Sequence, residues 1–244
     1  MKAIETLDLT KQYATHKAVN QLNFSIREGE LFALLGLNGA GKTTLINMLT
    51  TILAPTSGEA TIHHLSIQKK PQQIKSLIGV SPQESAVAPH LTVEENILLM
   101  ATIYGASKLE AKKQCKHTLL QLNLQNEKTK KAKHLSGGMM RRLSISMALV
   151  TKPNVLFLDE PTVGVDVVAR RELWNVIKEL KGSMTIVLTT HHMEEADALA
   201  DRIGIMSNGF LIKTGTPADL KKQKHTDSLE DAFVSFVQTE EVPS

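Results

Sequence analysis

The chain has 244 residues, enough for one large domain, or a core with a smaller insert, around a sizeable buried interior. Its 28 basic and 25 acidic side chains leave a formal charge of +3, too even a balance to argue for nucleic acid. The single cysteine, Cys115, excludes an internal disulfide and suits a reducing compartment, and no apolar run approaches the roughly 20 residues of a membrane helix.

The amino terminus MKAIETLDLTKQY lacks a continuous apolar segment, so no signal peptide is expected and the composition reads as soluble and cytoplasmic. Alternation from Ile4 to Leu9, then AVNQLNFSI before the turn REGE, predicts an antiparallel strand pair. LFALL (Leu31–Leu35) is a continuous apolar run, as expected of a strand buried on both faces. TTLINMLTTIL predicts a helix from Thr43 to Leu53, ended by APTSG.

Between that strand and that helix lies GLNGAGKTT, and Gly36 through Thr43 fit G-x-x-x-x-G-K-[ST]. Gly36, Gly39 and Gly41 let successive N–H groups converge on phosphate oxygens, and the following helix adds its positive end. Leu37, Asn38 and Ala40 complete the loop, and Thr44 its first helical turn. Lys42 is expected on the β- and γ-phosphates, and the Thr43 hydroxyl on Mg²⁺. Nucleotide binding follows; the kind of nucleotide enzyme stays open at this point.

From about Glu84 to Val150 the pattern is helical. Thr92 with Glu95, then Ser107 with Glu110, form capping boxes ahead of two helices. Cys115 falls in the second of these as a packing residue, and KTKKAKH (Lys128–His134) reads as a solvated face. A third helix is expected from Met139 through Val150, started by Ser136 and the two glycines of LSGGM (Leu135–Met139). Ser136 brings a hydroxyl and Gly137 and Gly138 bring N–H groups to its amino end, which is either a second anion cradle or only a cap.

VLFLDE (Val155–Glu160) predicts a buried strand delivering Asp159 and Glu160 at its carboxyl end, where ligands bind in open α/β sheets. Asp159 suits the magnesium shell, and Glu160 the polarising of a water against the γ-phosphate. Pro161 fixes the chain behind them. VVARRELWNVIKEL predicts a helix, MTIVLTTHH a buried strand, MEEADALADR a helix and IGIMSNGFLIK a hairpin turning at Asn208-Gly209. Strands alternating with helices imply a mostly parallel sheet. SLEDAFVSFV predicts a last helix, capped by Ser228 with Asp231, whose stripe of Leu229, Ala232, Phe233, Phe236 and Val237 either docks on its own domain or meets a partner. The tail TEEVPS reads as loose. The expected organisation is an ATP-binding core over 1–83 and 151–220, a helical subdomain over 84–150, and a carboxyl-terminal helix and tail over 221–244.

The glycine loop, the Asp159–Glu160 pair and LSGGM together resemble the ATP-binding cassette family, over residues 2 to 220. The resemblance implies a P-loop NTPase (RecA-like) α/β core with a mostly parallel sheet, an antiparallel β subdomain at the amino end and an inserted α-helical subdomain. It implies ATP and Mg²⁺ as cofactors, the metal held by Thr43, Gln83 and Asp159. It also implies a head-to-tail dimer in which Ser136, Gly137 and Gly138 of each copy face the ATP on the other copy's glycine loop. Tyr13 matches the aromatic that stacks on adenine, against the alternative of an ordinary half-buried tyrosine. Gln83 matches the glutamine that senses magnesium and the attacking water, and Gly164 and Asp166 the loop that crosses the dimer interface. His191 matches the histidine on the γ-phosphate, with His192 as bystander, so Glu160, His191 and Gln83 are the expected catalytic set.

Many cassettes carry Gln after SGG, whereas Met139 stands here, followed by Met140-Arg141-Arg142-Leu143. That run resembles the branch serving drug-efflux, polysaccharide and lipid exporters. The implied function is the ATP-hydrolysing subunit of an exporter, working as a homodimer or heterodimer with a separate permease at the inner face of the cell membrane. The rival is a soluble ATPase of the same family acting on nucleic acid or ribosomes. Such relatives carry long coiled coils or two cassettes, whereas this chain has one glycine loop and no sustained heptad run. A kinase or GTPase leaves LSGG unexplained.

Overall fold

The computed structural model describes residues 1–239. Strands β1 (Lys2–Tyr13), β2 (His16–Arg27) and β3 (Leu31–Leu35) lead through the glycine loop into α1 (Lys42–Leu49). Then come β4 (Ser57–Ile62), β5 (Leu65–Ser66), α2 (Pro71–Lys75) and β6 (Ile78–Ser81). The helical stretch holds α3 (Val93–Ile103), α4 (Lys108–Gln121) and α5 (Gly137–Leu149). After it come β7 (Val155–Asp159), α6 (Val167–Leu180), β8 (Thr185–Thr190) and α7 (Met193–Leu199). The hairpin β9 (Arg202–Ser207) and β10 (Phe210–Gly215) precedes α8 (Pro217–Gln223) and α9 (Leu229–Thr239). The described residues form two compact units, one of residues 1–75 and 181–239, the other of residues 76–180.

In the first unit β1 and β2 pair antiparallel, as their alternation predicts, and β4 and β5 extend the sheet in the order β2-β1-β4-β5. The β1–β2 register slips between Thr6 and Leu9, where Asp8 takes a φ of 48° and Leu7 turns outward. This bulge is held by Asn23, whose side-chain oxygen accepts from the Asp8 amide at 2.8 Å. Strand β4 was not legible in SGEATI, whose first half is turn chemistry and only partly buried.

Strand β3 lies between β8 and β9, parallel to both, with Leu35 opposite Thr190 and Ile205. All of β3 and β8 is buried, as the unbroken apolar runs require, and each buried Leu there contributes about 1.5–3 kcal/mol. Phe32 stacks on Phe24 with ring centroids 5.7 Å apart, and a Cβ at Gly204 would meet the Phe32 ring at 2.8 Å. The β9–β10 hairpin turns at Asn208-Gly209 with φ of 49° and 82°, the backbone that this dipeptide favours.

Helix α1 stops at Leu49 instead of Leu53. Thr51 adopts a left-handed φ of 63°, its amide donates to Met48 O at 3.1 Å, and the Ile52 amide donates to Asn47 O at 2.9 Å. That closure satisfies the last carbonyls with a threonine where glycine is usual, so no glycine marks the end in the sequence. Helix α9 docks on its own unit against α7, α8 and β10, with Leu229, Ala232, Phe233 and Phe236 buried. Its expected cap is present, the Asp231 amide donating to Ser228 Oγ at 3.3 Å. The tail from Glu240 on lies outside the described residues.

In the second unit β6 and β7 pair parallel, Ser81 opposite Leu158. Both capping boxes are formed, with Thr92 and Glu95 exchanging bonds of 2.7 and 3.2 Å and Ser107 and Glu110 bonds of 3.0 and 3.3 Å. The Thr92 backbone bond holds the Glu95 carboxyl below its ordinary value, and the Ser107 side-chain bond does the same for Glu110. Cys115 is buried in α4, and burial pushes its thiol up to about 11, which suits packing and not nucleophilic work. In the basic run every side chain but Ala132 stays exposed, as a solvated face. Among the described residues no helix is long and apolar enough to cross a membrane.

Candidate functional site

In the first unit the glycine loop leaves the buried end of β3 and enters α1. The Gly36 amide donates to Thr190 O at 3.3 Å, and the Gly209 amide to Ala40 O at 3.1 Å, so β8 and the β9–β10 turn both brace the loop. A Cβ at Gly41 would meet the Ala18 carbonyl oxygen at 2.2 Å, and φ is 101°, so only glycine fits. Gly39 has a φ of 82° with open space before it; there the need is conformational. Lys42 is buried and its Nζ donates to Gly36 O at 2.7 Å and Leu37 O at 3.3 Å, which places the ammonium inside the curl of the loop.

Leu37, Asn38 and Gly39 are exposed on the rim, and so is Thr43 in the first turn of α1. The first helical bond is made by the Leu45 amide to Gly41 O at 2.9 Å, so the amides of Lys42, Thr43 and Thr44 come before it. Converging amides, one ammonium and a helix amino end form a donor set for a polyphosphate. The residues present therefore fit the nucleotide.

Two more expected residues share this unit. Tyr13 ends β1 opposite His16, on the same hairpin whose return strand backs Gly41 through Ala18. Tyr13 is 48% exposed, with Lys11 Nζ 5.4 Å from its ring centroid, an exposure that suits either stacking on a ligand or an ordinary half-buried tyrosine. His191 follows Thr190 directly and therefore leaves β8 beside the first residue of the loop. Its ring lies 4.1 Å from that of His192, which precedes α7 and donates its amide to Thr190 Oγ1 at 2.9 Å.

The second unit holds the remaining residues. Ser136 is the N-cap of α5, its Oγ accepting from the Met139 amide at 3.3 Å, and both Ser136 and Gly137 are exposed. Gly138 is buried, and a Cβ there would meet the Ala169 side chain at 2.7 Å, so this glycine lets α5 approach α6. Asp166 caps α6, its Oδ1 accepting from the Val168 and Ala169 amides at 3.0 Å each. Gly164 stands in the exposed loop before it, with a φ of 74°.

Asp159 ends β7 and Glu160 follows, both buried, at 5% and 6% exposure. Glu160 takes a left-handed φ of 49° just before Pro161, a backbone state that costs about 1–3 kcal/mol. Gln83 lies exposed two residues beyond β6. Among the described residues no three His, Cys, Asp or Glu side chains could hold a metal unaided.

Arg141 escaped the reading of the sequence as a site residue. It is buried on α5, and its guanidinium donates to main-chain oxygens of Pro82, Gln83, Asp159 and Pro161. The signal was available: a charged residue three positions after Gly138 and four before Ile145, on the stripe that α5 buries.

The family model described as ABC transporter matches residues 19–163. The linearmycin resistance ATP-binding protein LnrL of Bacillus subtilis is 38% identical over 235 residues, which cover 96% of this chain and 76% of that protein. The human phospholipid-transporting ATPase ABCA3 is 42% identical over 206 residues, 84% of this chain but only 12% of its own length. Among solved structures, cbiO1 from Clostridium perfringens, part of the ABC transporter complex cbiONQ, aligns with a TM-score of 0.84 at 28% identity, covering 91% of this chain and 92% of that one. The dimeric structure of MJ0796, a bacterial ABC transporter cassette, aligns with a TM-score of 0.79 at 26% identity, covering 87% and 98%.

Proposed function

The chain belongs to the ABC transporter ATP-binding family, and from that premise we propose that it is the subunit that hydrolyses ATP to drive a separate membrane permease. The observation that carries the reading is that one chain holds two glycine-bearing helix amino ends, at Gly41–Thr43 and at Ser136–Gly138, each with the donor chemistry of an anion cradle. One protomer needs only the first for its own nucleotide. The second is accounted for when two copies assemble head to tail, each closing Ser136, Gly137 and Gly138 over the ATP of the other. The dimeric MJ0796 cassette supports such a pairing.

In this reading Lys42 and the first amides of α1 orient the β- and γ-phosphates, and Tyr13 carries the adenine. Thr43, Asp159 and Gln83 hold the magnesium shell. Glu160 polarises the attacking water, and His191 and Gln83 position it against the γ-phosphate. When bound, MgATP supplies the anhydride to be broken and a cation that offsets the charge on its phosphates. Gly164 and Asp166 lie in the loop that crosses between copies. Closed and open dimers bias the permease differently, so hydrolysis drives transport as a population shift governed by the γ-phosphate.

The permease would dock a helix on the Gln83 segment and the helical subdomain; in the latter Leu99 and Ile103 of α3 and Tyr104 at its end are exposed. The association with the cytoplasmic face of the membrane is then peripheral, through that partner. Export is the direction we read from the SGGM run, and the likeness to LnrL, a linearmycin resistance protein, agrees with it.

Affinity capture of the tagged chain from detergent-solubilised membranes tests the assignment. A polytopic membrane protein is expected to co-purify in fixed ratio and to raise or lower the ATPase rate. Retention on ribosomes or DNA with no such partner would replace this reading by that of a soluble family ATPase.

A further inference from the structure

Arg141 is a buried guanidinium set against main chain. Its Nε donates to Pro161 O at 2.9 Å, its Nη1 to Pro82 O at 2.5 Å and Gln83 O at 3.3 Å, and its Nη2 to Asp159 O. The Asp159 and Pro161 carbonyls flank Glu160, the residue with left-handed backbone. The same planar group thus grips both sides of Glu160 and the main chain at Gln83. Bonds from a charged donor are roughly twice as strong as neutral ones, and the rigid fork of arginine reaches several acceptors that a lysine ammonium cannot reach at once.

We propose that Arg141 is the positioning residue of the hydrolytic machinery, holding Glu160 and Gln83 in their reacting arrangement through their own main chain. The proposal rests on the hydrolytic roles given to those two residues above. Arg141 also stands on the helix that Ser136 caps, five residues further along. A load placed on Ser136 by a nucleotide therefore reaches the Glu160 and Gln83 backbones through one rigid element. Misplacement of a reacting group by about 1 Å can cost on the order of 100-fold in rate, so loss of the grip is expected in turnover and not in nucleotide affinity.

Two substitutions and a control separate this from simple packing. Arg141→Met keeps the length and the apolar stem but has no donor, and Arg141→Lys keeps the charge without the fork. Ser144→Ala, one turn along the same helix, removes a buried bond of 2.9 Å to Ser81 and leaves every bond that Arg141 makes in place. In the full chain, Arg141→Met is expected to lower kcat for ATP about 100-fold while KM and the affinity of one protomer for MgATP move less than about threefold. Amide exchange at residues 83 and 160 is expected to rise, Arg141→Lys to recover less than about a tenth of kcat, and Ser144→Ala to lower the melting temperature with kcat retained.

Should Arg141→Met fail to fold, Arg141→Lys gives the same split of kcat against KM. A variant kcat within about threefold of wild type, or an equal loss in Ser144→Ala, would overturn the positioning role while the wild-type chain still hydrolyses ATP. A wild-type chain without ATPase activity would overturn the hydrolytic reading itself, and this role with it.

Discussion

The Glu160→Gln variant is expected to bind MgATP as the wild-type chain does and to lose hydrolysis by about 10²- to 10⁴-fold, or about 3–5 kcal/mol of barrier. Gln occupies the same volume and cannot take up a proton at neutral pH, so binding and chemistry separate. The backbone at Glu160 is buried, left-handed and bonded on both sides to Arg141, so an isosteric change leaves the loop in place. With hydrolysis blocked, the closed form persists, and size-exclusion chromatography in saturating MgATP is expected to show a dimer that disperses when nucleotide is withdrawn. A monomer under those conditions would contradict the sandwich, and wild-type turnover would remove Glu160 from the chemistry.

Ser136→Arg is expected to reduce hydrolysis by at least about 100-fold, the usual cost of losing one charge-stabilising donor, while a single protomer keeps its affinity for ATP within about threefold. The substitution removes the cap bond to the Met139 amide and puts a cation at the positive end of α5. Loss of a cap alone costs about 1 kcal/mol of stability, which a melting curve registers. Ser136→Asp tells the two effects apart. Its carboxylate restores the cap and favours the helix end, yet it repels a phosphate, so it is expected to fold like wild type and still fail in turnover. If Ser136→Asp hydrolyses ATP normally, Ser136 serves the helix only.

How far the sequence reaches depends on whether the required contacts are local. The glycine loop was legible because strand, loop and helix follow one another, and the physical demands on Gly39 and Gly41 match the motif. The caps at Thr92, Ser107, Ser136 and Ser228 were legible for the same reason, each bond closing within three residues. Strand β4 was not, because most of its pairing is with β1, 47 to 58 residues back (Thr10 with Ser57, Ile4 with Ile62), and the first half of its own sequence reads as a turn. Two glycines of one motif also turned out to differ in purpose. Gly137 is exposed at the start of α5, whereas Gly138 is required by the approach of Ala169.

Arg141 shows the limit most clearly. Four of its acceptors are main-chain carbonyls 18, 20, 58 and 59 residues away, and a carbonyl leaves no residue type to recognise. The side chain lies among the basic residues after SGG, where it passes for part of a charged surface run. Only its place on the buried stripe of α5 set it apart. The left-handed backbone at Glu160 is likewise invisible in the sequence, since glutamate before proline gives no sign of it.

Cross-linking between copies tests the sandwich most directly. Cys115 is buried and its thiol pushed up to about 11, so the native chain offers a silent background. One preparation carries Asn38→Cys on the exposed rim of the glycine loop, a second carries Ser136→Cys, and both carry Glu160→Gln. Mixed with a short bifunctional thiol reagent, the two are expected to join into a covalent pair only when MgATP is present. A pair that forms equally without nucleotide, or no pair at any MgATP concentration, would contradict the clamping of ATP between Lys42 of one copy and Ser136 of the other.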